Sequence, residues 1–176
     1  MEEKSNFLTA SFHDVENAEH AYNNLRERGY SDDEISVIMS EESLKKHFGS
    51  EAGKKSEKSE FGNKAAEGAG TGAAVGGGIG AAAGIIVALG TSVVVPGLGI
   101  VVAGPLAAGL AGAGGGGIAG GIVGALIGAG IPKERAEKYE KGIKEGQIVI
   151  ATQMHNEDDA KYFEEKWKKY GHEVTR

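Results

Sequence analysis

From Gly68 to Pro132 the chain carries no charged side chain, a run of 65 positions of which 23 are glycine. The glycines are not scattered. Gly68, Gly72, Gly76, Gly80 and Gly84 fall at every fourth position, and Gly112, Gly116, Gly120, Gly124 and Gly128 do so again. A spacing of four puts residues on one face of a helix. Yet glycine destabilises a helix in water by about 1 kcal/mol relative to alanine. What such a series offers is a ridge without side chains, along which two backbones come close, as in the small-xxx-small packing of helices in lipid. Between the two series, "TSVVVPGLGIVVAGP" contains Pro96 and Pro105, and its proline and glycine pairs mark a bend. The pattern predicts a helical hairpin, one helix over about 63–89 and the other over about 105–129.

The remaining faces of both helices are apolar. Val75, Ile79, Ile86 and Val87 lie off the first ridge, and Ile118, Ile122, Val123, Leu126 and Ile127 lie off the second. A helix apolar all round has to be buried in something. At 1.5 Å per residue the two helices would be roughly 37–40 Å long, too long for a small domain to cover. A bilayer, which needs about 20 apolar residues per span, and an oligomer of the chain itself are the two candidate environments. A low-complexity insert with no fixed packing is the plainer alternative. Lys54, Lys55, Lys58 and Lys64 before the run, and Lys133, Arg135 and Lys138 after it, fit a head domain on the cytoplasmic side. The interspersed glutamates weaken that signal.

The charged ends are a different material. "FLTASF" alternates as a strand, with Leu8, Ala10 and Phe12 on one face. Asp14 suits a helix N-cap. Val15, Ala18, Tyr22 and Leu25 form a helical stripe, Gly29 suits the C-terminus, and "ISVIM" is a second strand. At a constant offset of 142 the C-terminus repeats this: Phe12 matches Met154, His13 His155, Asp14 Asn156, Ala18 Ala160, Leu25 Trp167 and Gly29 Gly171. "GQIVIATQM" is the corresponding strand, and Ala160, Phe163, Trp167 and Tyr170 the corresponding stripe. "HEVTR" supplies a short last strand. Two βαβ units in one chain predict an α+β, ferredoxin-like head, with a four-stranded antiparallel sheet and both helices on one face. "SEESLKKHF" predicts a short helix capped by Ser40, with Leu44 and Phe48 inward. "IPKERAEKYEKGIKEG" predicts a helix from Pro132 with the stripe Ala136, Tyr139 and Ile143, ended by Gly146. The expected division is a first βαβ half over 1–40, a polar linker and short helix over 41–62, the glycine-zipper hairpin over 63–131, and a helix plus second βαβ half over 132–176.

Chemistry is sparse. The net charge of −6 argues against nucleic acid as a partner. With no cysteine, thiolate and disulfide chemistry are excluded. "MEEKSNF" lacks an apolar core, so no secretory signal is legible and a cytosolic origin is expected. "GAGTGA" (68–73) and "GAGGGG" (112–117) match the loose dinucleotide pattern, but neither follows a strand. His155 with Asp158 and Asp159 offers at most a weak metal site, and Phe163, Trp167 and Tyr170 read as core. No nucleophile, base and orienting group can be assembled. The expectation is therefore a non-enzyme with no catalytic residues, cofactor, metal or identified small-molecule substrate.

"FHDVENAEHAYNNLRERGYSDDEISVI" (12–38) and "GIPKERAEKYEKGIKEGQIVIATQM" (130–154), flanking a glycine-rich apolar insert, resemble the general stress protein 17M-like, or heat-induced stress protein, family of bacteria. The resemblance implies a role in general or heat stress and no reaction. Together with the zipper it suggests a cytoplasmic head held at the inner membrane through 63–131, or a homo-oligomer built through the same segment. A soluble regulatory or ligand-binding module, with the hairpin buried in a homo-oligomer, is the alternative.

Overall fold

Several strands of this chain are apolar on both faces, and that decides the architecture. "IVIA" (148–151) and the centre of "ISVIM" (35–39) leave no side for water, so each face of the sheet needs a cover. A computed structural model describes residues 7–47, 93–95, 99–107, 121–128 and 131–176. In chain order these hold β1 (Phe7–Phe12), α1 (Val15–Glu27), β2 (Ile35–Ser40), β3 (Val93–Val95), β4 (Ile100–Ala103), α2 (Gly121–Gly128), α3 (Lys133–Lys144), β5 (Ile148–Gln153), α4 (Glu157–Trp167) and β6 (Glu173–Thr175). A 3-10 turn at Asp32–Glu34 leads into β2. A helical stretch over 41–47 leaves it.

The fold is α+β. Among the described residues six strands form one sheet in the order β3-β4-β2-β5-β1-β6, and every pairing is antiparallel. The register is set from the centre: Ala10 lies opposite Ile150 and Val174, and Val37 opposite Ile150 and Ala103. One face carries Leu8, Ala10, Phe12, Ile35, Val37, Met39, Ile148 and Ile150, covered by Ala18, Ala21, Tyr22 and Leu25 of α1 and Ala160, Phe163 and Trp167 of α4. The other face carries Ile38, Ile100, Val102, Val149 and Ala151, covered by Ala136, Tyr139 and Ile143 of α3 and Ile122 and Leu126 of α2. Full burial of a Leu or Ile is worth about 1.5–3 kcal/mol.

The helix ends follow the expected chemistry. The Asp14 carboxylate accepts from the Asn17 amide, and the Asn156 side chain from the Asp159 amide, both at 2.8 Å. After α1, Gly29 has φ +95°, and Tyr30 N–H donates to the Leu25 carbonyl while Gly29 N–H donates to that of Arg26. This is the Schellman pattern, and Gly146 repeats it after α3. Ser40 Oγ accepts from the Ser43 amide at 3.0 Å, and Leu44 is buried on the α1 face. Phe48 lies outside the described residues.

Three expectations change. The sheet has six strands rather than four, and its second face is covered. The middle of the segment read as a helical hairpin over 63–131 is a strand pair, with β4 hydrogen-bonded along β2. The valines and Ile100 that looked like a bend between helices are β-branched residues suited to a sheet. By joining β2 they also cover an otherwise open edge. Gly104 follows β4 with φ +82°, and a Cβ there would sit 2.2 Å from the Ile35 carbonyl oxygen, so only glycine fits. Finally, α4 ends at Trp167 rather than at Gly171, and Tyr170 packs against the core from the turn that follows.

Candidate functional site

Of the ten zipper glycines, Gly124 and Gly128 are described, both in α2; Gly68, Gly72, Gly76, Gly80, Gly84, Gly112, Gly116 and Gly120 lie outside the described residues. α2 is a two-sided helix. Ile122 and Leu126, four apart, are buried against α3 and the sheet. At 3.6 residues per turn Gly124 and Gly128 fall on the opposite side. Gly124 is half-buried and Gly128 exposed. A Cβ added at Gly128 would meet nothing within 4 Å among the described residues. Beside them Ile127 is 43% exposed. Among the described residues the glycine side of α2 thus points away from the sheet, half-buried at Gly124 and open at Gly128 beside the exposed Ile127.

A second constellation was not legible as a site. Tyr30 is fully buried just past the turn that ends α1. Its hydroxyl donates to Asp159 Oδ2 at 3.1 Å and accepts from the His155 amide at 3.0 Å. The His155 ring stacks on Tyr30 with centroids 4.1 Å apart and planes 12° from parallel, and its Nε2 meets Glu34 Oε1 at 2.5 Å. Arg28 Nε donates to Asp159 Oδ1 at 2.5 Å, and its guanidinium lies 4.1 Å from the Tyr162 ring centroid. Burial pushes the Asp159 carboxyl up, but hydrogen bonds from Arg28 and Tyr30 outweigh it and hold it below its ordinary value. The Ser31 backbone amide, then His155 and the Ser31 hydroxyl, hold Glu34 down at about 2. Each of these side chains is engaged by another, so the cluster reads as a clasp between the two halves of the chain.

The clasp has a counterpart. The offset of 142 that matches His13 to His155 also matches His172 to Tyr30. His13 and His172 meet with ring centroids 4.4 Å apart at 62°. The repeat is therefore spatial as well as sequential, a signal that pairing Tyr30 with His172 would have exposed.

The weak metal grouping weighed at His155, Asp158 and Asp159 is not assembled: His155 faces Glu34, and Asp159 faces Arg28 and Tyr30. Among the described residues no group of three or more His, Asp or Glu could hold a metal ion. No family model, curated protein or solved structure matches this chain.

Proposed function

We propose that this chain is a non-enzymatic bacterial stress protein of the general stress protein 17M-like kind, with a ferredoxin-like head and a glycine-zipper segment that packs helix on helix. The zipper associates with a membrane, assembles copies of the chain, or does both, while the head remains cytoplasmic. The strand order β6-β1-β5-β2, with α1 and α4 on one face, supports the ferredoxin-like reading of the head. β3, β4, α2 and α3 are then additions that close its second face.

The observation that carries the proposal is the two-sidedness of α2. Its isoleucine and leucine side is already committed to the head, while among the described residues its glycine side is half-buried at Gly124 and open at Gly128. A bare glycine ridge in water costs helix stability without return; against another helix it permits close backbone contact. Among the described residues no helix is long and apolar enough to cross a membrane. Most of both glycine series falls outside those residues.

Fractionation after expression, followed by size exclusion with and without detergent, tests this reading. Recovery in the membrane fraction, or as an oligomer, is expected. Gly124→Ile and Gly128→Ile should break that association while leaving the head folded. A soluble monomer without detergent would falsify both forms of the proposal.

The second reading is a soluble regulatory or ligand-binding module with the zipper buried in a homo-oligomer. What favours it is that Ile122 and Leu126 sit in the head's own core, so part of the apolar run is already covered by protein. A discrete oligomer that sediments identically with and without detergent, and is absent from membranes, selects it.

A further inference from the structure

We propose that His13 and His172 form a two-imidazole site for a divalent transition-metal ion, with Zn²⁺ as the probe. They come from opposite ends of the chain and meet because β6 pairs with β1, Glu173 lying opposite Ser11. The backbone on both sides is fixed. His172 N–H donates to the Ser11 carbonyl at 2.8 Å, and Asp14, next to His13, caps α1. Both histidines are exposed, and their rings lie 4.4 Å apart between centroids.

The contrast with the matching corner shows what is unusual here. There, Tyr30 and His155 are consumed by Asp159 and Glu34. Here, no ring nitrogen of His13 or His172 has a hydrogen-bond partner among the described residues; the two rings meet each other instead. The nearest carboxylates in sequence are engaged elsewhere: Asp14 with the Asn17 amide and side chain, and Glu173 with Lys138. Neutral imidazole is the commonest protein ligand for such metals, and Zn–N distances are about 2.0–2.1 Å. Tetrahedral coordination by two rings sets their centroids about 5 Å apart. Exposed side chains reach that from 4.4 Å by a small outward rotation. Two protein ligands leave the remaining coordination positions open to water or to a donor from another molecule. The site is thus of the open rather than the closed structural type.

The test is a calorimetric titration of the tag-free full chain with Zn²⁺, alongside ring-nitrogen NMR of the histidines. The expected result is one ion per chain, with shifts confined to His13 and His172. His13→Gln and His172→Gln should each weaken binding roughly tenfold or more, while His20→Gln and His47→Gln leave it unchanged. Zinc should also raise the melting temperature of the parent and not of the two variants, by simple mass action. Binding that survives both substitutions overturns the proposal. So does equal loss in the His20 and His47 controls, or no saturation by about 1 mM zinc in a chain that melts normally.

Discussion

The two faces of the sheet are closed by different means. The first is covered by α1 and α4, helices that repeat one another at an offset of 142 and carry matching stripes, Ala18 with Ala160 and Leu25 with Trp167. The second is covered by α3 and α2, and the sheet is widened by β3 and β4 from inside the uncharged run, with Ile100 and Val102 on this face and Val101 and Ala103 on the first. The cover of one face was built by repetition and that of the other partly by insertion. The insertion is therefore not merely an appendage on a finished domain, because part of it supplies core.

Deletion strikes this difference hardest. Removing 63–131 and joining the ends by a short linker takes away β3, β4 and α2, leaving Ile38, Val149 and Ala151 short of cover. Loss of cooperative melting by circular dichroism is expected. Removing 51–90 alone, which spares all three elements, should preserve it. Equal cooperativity in both deletions would mean that the second face does not depend on the insertion.

Point substitutions in α2 sharpen the same contrast. Leu126→Ala should cost about 2–5 kcal/mol in denaturant unfolding, as for other fully buried leucines. Ile127→Ala, one position away and 43% exposed, should stay within about 0.5 kcal/mol. The reverse ranking would turn α2 over and bring its glycines inward. Gly104→Ala comes next, at about 2 kcal/mol or more, because it combines a positive φ with backbone overlap at Ile35.

Smaller effects lie at the polar links. Burial pushes the Tyr139 hydroxyl up to about 12; this group donates to the Thr9 carbonyl at 3.2 Å and also meets Thr175. Tyr139→Phe should cost about 1 kcal/mol and show first as faster amide exchange in β6. The smallest effect is in acid. Glu34 is held below its ordinary value of 4.5, at about 2. Its contribution is therefore complete above pH 4.5 and is lost as the pH falls toward 2. Asp159, also held down, acts with the same sign. Asp159→Asn and Glu34→Gln should flatten the stability–pH curve in that window and leave it unchanged in slope at neutral pH.

Much of the first face, and one helix of the second, could be read directly. The alternation in "FLTASF", the caps Asp14 and Asn156, and the 3.6-residue stripes of α1, α3 and α4 are local signals, and each stands where its residues placed it. The double-sided character of "IVIA" (148–151) was also in the sequence, and it already called for a cover on the second face. What local signals could not supply was the cover's identity. Val93–Val95 and Ile100–Ala103 lack partners within their own stretch other than one another, and only the exposed edge of β2 turns that pair into sheet. The clasp at Tyr30 was hidden for the same reason. Arg28, Glu34, His155 and Asp159 are ordinary surface residue types until the turns after α1 and before α4 bring them together.

The sequence by itself determined the elements at the two charged ends, most of their caps and the internal repeat, because these depend on periodicity and on contacts within a few residues. Tertiary structure decided that the middle of the apolar run joins the sheet and that Ile122 and Leu126, not Gly124 and Gly128, face the core. It also decided that His13 meets His172 across the whole length of the chain. Each of these depends on which surface is left uncovered when the other elements have packed, and that quantity belongs to the assembled fold.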